Sequence, residues 1–169
     1  MANWNDFAAA EPDFAQRVRA LFTAHKHHTM ATLRKDGSPR ISGTEVAFDD
    51  DGLAVGMMGG ARRATDLRRD RRVAIHSHTE DPGDDPTAWS GDAKISGTAS
   101  EVEAEAEAGT EAGTETEAGT ETGDDGAADS HRFLIDLTEV VTTRVGMPPD
   151  HLVIETWHPG EGVRRIERR

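Results

Sequence analysis

LAVGMMGGARRATDLRRDRRVAIHS, residues 53–77, carries the pattern on which the reading of the whole chain turns. Leu53 to Met57 is a short β-type run, Gly59-Gly60 is a turn, and Ala61 to Asp70 lacks Gly and Pro and is rich in Ala, Leu and Arg. That composition predicts a short helix. Val73 to Ser77 then returns to the β-type pattern. A strand, a tight turn, a basic helix and a second strand thus follow one another in one small unit.

Outward from this unit the chain is mostly β-type. Toward the N-terminus, strands are predicted at Thr29 to Leu33 and Arg40 to Phe48, separated by the turn signals Asp36-Gly37 and Asp51-Gly52. Ahead of them Pro12 suits a helix start, and Phe14, Val18, Leu21 and Phe22 recur at helical spacing through about Ala24. Toward the C-terminus, Ala93 to Ser100, Phe133 to Val145, Leu152 to Trp157 and a short Val163 to Ile166 read as strands, with Asp81 to Pro86 as a loop. Six or so antiparallel strands of Greek-key type with two or more short helices predict a mainly β fold, a split, closed or partly open β-barrel.

A chain of 169 residues suits a single domain with one core. It has no Cys, no apolar run long enough to span a bilayer and no apolar leader, so a cytoplasmic protein without disulfides or membrane contact is expected. The net charge of −13 is unevenly placed: residues 101–130 hold eleven Asp/Glu and no Lys/Arg, which leaves about −2 on the remainder. Within that stretch EAGTEAGTETEAGTETG, residues 107–123, repeats an EAGT unit without a large apolar side chain. It cannot build a core, and Glu103 to Ser130 is expected to be a disordered loop insertion.

Six arginines fall between Arg62 and Arg72. Arg62 and Arg63 sit in the first helical turn, where unpaired backbone N–H groups, the positive end of the helix dipole and planar guanidinium groups combine into an anion site. Arg68, Arg69, Arg71 and Arg72 lie at the far end, where positive charge complements the dipole without any ligand. A solvated basic face and a nucleic-acid patch are the competing readings of the same residues. The near-neutral remainder and the lack of interleaved aromatics make nucleic acid the weaker of these.

The segments ATLRKDGSPRISGTEVAF, LAVGMMGGARRATDLRRDRRVAIHS and WSGDAKISGTA, with DHLVIETWHPGEGVRRIERR at the end, resemble the pyridoxamine 5'-phosphate oxidase-like split-barrel family over about four-fifths of the chain. The resemblance implies that Asp36, Gly37, Ser38 and Pro39 form the hairpin between the first two strands. It implies that Arg62 and Arg63, ahead of Leu67, hold a cofactor phosphate, and that Ser42, Gly43, Thr44, Met57 and Met58 line the cofactor. Trp157 would approach the ring from the C-terminal strands. It further implies a homodimer with FMN at the subunit interface and hydride transfer to or from a small organic substrate, with a deazaflavin as the close competitor. The pattern departs from the family at Ser42, where oxidases carry an Arg, at Ala61, where a Ser or Thr is usual, and at Arg63, where Lys is usual. The C-terminal substrate pattern of the oxidase is absent, so vitamin B6 oxidation is not implied.

Other residues have plainer readings. His25, His27 and His28 suit a helix C-terminus, although their spacing also fits metal ligands. His76 and His78 alternate on a strand. Either of these would serve as ligand in the alternative reading of a non-enzymatic haem or flavin carrier on the same barrel. Trp89 reads as a core or interface anchor and Lys94 as a solvated strand residue. No Ser/His/Asp set or strong metal spacing is present, and none is needed if a flavin carries the chemistry.

Overall fold

The computed structural model describes residues 1–103 and 130–169. Two helices lead, α1 (Trp4–Ala10) and α2 (Pro12–Thr23), followed by β1 (His28–Leu33), β2 (Pro39–Thr44), β3 (Val46–Asp49), β4 (Gly52–Met57), α3 (Arg62–Arg69) and β5 (Arg72–His76). A short 3-10 helix (Pro86–Ala88) precedes β6 (Asp92–Val102), β7 (His131–Val145), β8 (Leu152–His158) and β9 (Gly162–Arg168). The expectation for Glu103 to Ser130 falls on residues 104–129, outside the described residues.

All strand pairs are antiparallel, and hydrogen bonding runs β2-β1-β5-β6-β7-β4-β3. β7 is shared: its first residues pair with β4, while its second half pairs with β8, which carries β9. The two ends of the path, β2 and β3, are neighbours in sequence, separated only by Glu45. The sheet is therefore joined by a covalent link at Glu45 and left without hydrogen-bonded pairing between β2 and β3, and this is the split of a split β-barrel. Among the described residues there are nine strands and three α-helices, against the six or so strands and two or more short helices expected.

The run Arg40 to Phe48, expected as one strand, is two. Thr44 is buried and the chain turns at Glu45, so that β2 serves β1 and β3 serves β4. The remaining predicted strands and the basic helix lie within a few residues of their expected bounds. The Asp36-Gly37 hairpin is as expected, with Gly37 at φ 83° and the Arg34 N–H donating to the Ser38 carbonyl. β6 and β7 slip register at Ser96/Gly97, a β-bulge.

The core lies between α1, α2 and the inner sheet face. Phe14, Val18 and Phe22 of α2 bury the helical stripe expected of them, and Phe7 of α1 meets Phe14 edge-on at 5.9 Å. Inner-face residues alternate along β1 and β5, with Met30, Val73 and Ile75 buried. Among the described residues no helix is long and apolar enough to cross a membrane.

Candidate functional site

The open side of the barrel is a cleft built from the ends of β2 and β4 and the start of α3. One lobe, about 410 Å³, is lined by Gly43, Thr44, Met57, Met58 and Arg63 together with His27, Glu45, Gly56 and Ser130. The adjoining lobe, about 340 Å³, is lined by Arg40, Ser42, Met58, Gly59, Gly60, Ala61, Arg62 and Arg63. Seven of the eight residues expected to contact a cofactor thus meet in one place. Met57 is buried in the barrel wall, whereas Met58 is 83 % exposed at the rim. The eighth, Trp157, lies elsewhere: it is 4 % exposed, stacks on Phe7 at 4.6 Å and lines neither lobe.

The start of α3 is unfilled by the protein itself. Its N-cap is Ala61, which has no side-chain acceptor, and no acidic residue occupies the first turn. The first N–H groups of a helix have no intrahelical partner, and two arginines add charge at the same end. Arg63 donates from Nη1 to the Gly43 carbonyl on the open edge of β2. Its Nε is buried without a partner among the described residues, as is Ser42 Oγ. Arg62 makes no hydrogen bond or ion pair among the described residues.

The other four arginines are each used within the protein. Arg68 pairs with Glu101, Arg69 bonds the Leu33 carbonyl and Asp66, Arg71 donates to the Ala99 carbonyl, and Arg72 pairs with Asp70. Arg68 and Arg69 lie in the last turn of α3, where positive charge complements the dipole, whereas Arg71 and Arg72, expected there too, lie beyond the helix.

Arg40 was not anticipated. It shares the face of β2 with Ser42 and Thr44 by strand alternation, which is the signal that would have found it. Its Nε lies 2.5 Å from Asp66 Oδ2 on α3. Asp66 is buried and also receives Thr32 Oγ1 at 3.0 Å and Arg69 Nη2 at 3.2 Å. Burial alone would raise its pKa, but the hydrogen bonds from Arg40, Arg69 and Thr32 and the Arg40 charge outweigh that, and the carboxyl is held below its usual range. A locked Asp66 fixes Arg40 through Nε, and Arg40 lines the second lobe of the cleft. An arginine two residues from the vacant Ser42 position therefore supplies charge on the second strand.

The histidines are placed differently from the helix-capping expectation. α2 ends at Thr23 with a backbone cap and no basic residue in its last turn. His25 pairs with Glu80 at 2.8 Å and stacks on His78 at 4.1 Å, His27 reaches the cleft, and His28 is buried in β1. The chain leaves the helix through bends at Ala24 and Lys26, and of these rings His28 stays beside a helix carbonyl, that of Phe22. Among the described residues no three His, Asp or Glu side chains are grouped to hold a metal ion.

A split β-barrel with an anion-suited cleft at the start of its third helix is the class that fold and site define. The family model of pyridoxamine 5'-phosphate oxidase matches residues 14–143, and the chain belongs to that family. Among solved structures it is similar to a pyridoxamine 5'-phosphate oxidase-related, FMN-binding protein of Nostoc punctiforme, with 10 % identity, TM-score 0.60, and 94 % of this chain and 95 % of that one covered. It is also similar to PhzG of Burkholderia lata, solved with tetrahydrophenazine-1-carboxylic acid, with 12 % identity, TM-score 0.60, and 95 % and 93 % covered. General Stress Protein 26 of Bacillus anthracis matches with 12 % identity, TM-score 0.51, and 75 % and 91 % covered. At these identities the likeness is one of fold. No curated protein matches the chain in sequence.

Proposed function

We propose that the chain binds the phosphate of a flavin-type cofactor in this cleft and works as an oxidoreductase that moves hydride to or from a small organic substrate. FMN is the first choice of cofactor and a deazaflavin the alternative. The observation that carries the reading is the pair of buried, unpartnered polar atoms, Ser42 Oγ and Arg63 Nε, beside an uncapped helix start with two arginines. Buried polar atoms in native proteins have partners, and an anion with several acceptor oxygens satisfies this set. The donors present therefore fit a phosphate.

Arg62, Arg63 and Arg40 would hold the phosphate charge, with Ser42 Oγ donating a further hydrogen bond. Gly43 and Gly56 keep the cleft walls low, and Met57 and Met58 offer polarizable surface to a ring or its chain. Hydride chemistry is supplied by the cofactor when bound, while the protein binds and orients it. The homodimer implied by the family resemblance is part of this proposal. Exposed Ile41 on β2 and exposed Met58 at the cleft rim, 72 % and 83 % accessible, support it, and the mass of the protein in solution tests it.

The deciding experiment is the absorption spectrum of the purified protein, followed by titration with FMN, a deazaflavin and haem. Binding of either flavin that is weakened by Arg63→Ala supports the proposal. Binding of haem alone, or of none of the three, refutes it.

A further inference from the structure

Three contacts tie the segment after β5 to the link between α2 and β1, and each runs through an imidazole. The His78 N–H donates to His28 Nδ1 at 3.3 Å, the His78 ring stacks on His25 at 4.1 Å, and His25 Nε2 meets Glu80 Oε1 at 2.8 Å. One residue earlier the chain is held differently. The Ser77 N–H donates to the Ala93 carbonyl and Ser77 Oγ accepts the Ala93 N–H, so this point is fastened to β6 without an imidazole.

His28 is the centre of the set. It is 4 % exposed, with the Phe22 ring 5.0 Å away and the Phe22 carbonyl beside it. A ring nitrogen that accepts from a backbone N–H carries no proton, so the His78 contact exists only while the ring is neutral. Burial holds the pKa of His28 below 6.5 against the pull of the Phe22 carbonyl, and His78, His25 and His27 act in the same direction as burial. An opened contact therefore takes up a proton before a closed one does, and acid draws the equilibrium toward the open form.

The surroundings do little to resist this. Glu80 faces His25, while Lys26 and His27 meet Glu45 at 3.4 and 3.7 Å. β2 presents Thr44 opposite His28, and on β5 His76 lies across from Thr29 with Asp92 at 3.7 Å. Among the described residues His78 pairs with no carboxylate. Glu80 can thus hold one charge in the His25–His78 stack, and a second sets two cations face to face.

Register places the set directly behind the cleft. His28 pairs with Thr44, and Thr44, Glu45 and His27 all line the first lobe. A shift of residues 24–28 is therefore a shift of that wall.

We propose that His28, with His25 and His78, forms a pH-sensitive latch. Neutral rings hold residues 78–80 against the link behind the first lobe, and proton uptake releases both and weakens binding in the cleft. The effect on binding rests on the cofactor reading of the cleft, whereas the latch itself does not.

The test has two arms, both on the full chain at about pH 7.5 and about pH 5.5, the range in which imidazoles take up protons. Amide exchange followed by NMR compares the His78 N–H with the Ser77 N–H, a reference within the same protein. At the lower pH the His78 amide is expected to lose protection about fivefold relative to Ser77, the weight of one hydrogen bond. His28→Gln accepts without titrating and keeps that ratio constant. Fluorescence titration with FMN is the second arm. Between the two pH values the unaltered chain is expected to lose about fivefold more affinity than His28→Gln, and the titration of the ligand's own phosphate is common to both proteins and cancels. His25→Phe, which keeps a stacked ring without charge, takes the place of His28→Gln should that variant not fold. A His78-to-Ser77 ratio that is the same at both pH values in the unaltered chain overturns the latch. Loss of His78 protection with an equal fall in FMN affinity in both proteins overturns its control of the cleft. Failure of the unaltered chain to bind FMN or its 5-deaza analogue at either pH overturns the cofactor reading and with it the effect on binding, while the exchange arm still decides the latch.

Discussion

Arg40 and Asp66 meet beneath the cleft, Nε to Oδ2 at 2.5 Å, joining the second strand to the third helix across 26 residues of chain. The carboxylate is buried and the guanidinium partly so. Removing the acid strands two arginines and the Thr32 hydroxyl around an empty site. Asp66→Ala is expected to cost about 3 kcal/mol of stability, read as a lowered denaturant midpoint. An unchanged midpoint would show the pair to be incidental.

The same carboxyl sets an acid limit. Its folded-state pKa lies below the ordinary 3.8, so the unfolded chain takes up the proton first as pH falls. The stabilisation is complete above about pH 4 and is lost as pH drops through the folded pKa. Chemical denaturation between pH 5 and pH 2 should show a steeper decline for the wild type than for Asp66→Asn.

His28 governs a milder range. Burial, opposed by the Phe22 carbonyl bond and reinforced by His78, His25 and His27, lowers its pKa below 6.5, and its Nδ1 accepts the His78 N–H at 3.3 Å. The neutral ring is the folded form. Stability is whole above about pH 6.5 and declines below it as the unfolded chain protonates first, until the folded pKa is reached. His28→Gln keeps an acceptor without titrating, and its melting temperature should vary less between pH 7 and pH 5 than that of the wild type.

Charge in the cleft should be divisible. Arg62→Ala, Arg63→Ala and Arg40→Ala are each expected to weaken FMN binding about tenfold, and Ser42→Ala only a few-fold, in line with charged and neutral hydrogen bonds. Arg72→Ala, whose partner is Asp70, should bind as the wild type does. Titrations at two ionic strengths separate exposed Arg62, the more salt-sensitive, from sheltered Arg63.

The β6–β7 hairpin should survive shortening. Val102 lies opposite Arg132 in the register, so residues 104–129 can be exchanged for a tight turn that preserves pairing. The exchanged protein is expected to melt within a few degrees of the wild type and to bind FMN with unchanged affinity. A large loss of either would give the acidic repeat a role in the barrel or its cleft.

How far the chain could be read in advance depended on how local each cause was. The strand-turn-helix-strand order around Arg62 is written in neighbouring residues, and it appears as expected. α1 went unread because seven residues offer little periodicity, although Asn3 accepting the Asp6 N–H was a visible capping signal. The break at Glu45 has no Pro or Gly to announce it. It follows from β2 and β3 serving different neighbours, which only the assembled sheet shows. The role of Arg40 is of the same kind, since only the fold brings Asp66 to it. Trp157 was assigned from the resemblance, and its burial against Phe7 depends on the α1 helix that the sequence reading lacked.

β7 has one more consequence, for how the protein is made. The wall of the cleft, β4, pairs with β3 on one edge but finds the partner of its other edge only in residues 131–134, more than seventy positions further along. While the chain emerges from the ribosome, the β3–β4 hairpin is complete with one edge bare, and every intervening residue prolongs that exposure. Long-range pairing of this kind is slow and open to association with other chains. The nascent protein is most vulnerable just before its second half arrives, and the cleft comes into being only with the strand that ends the wait.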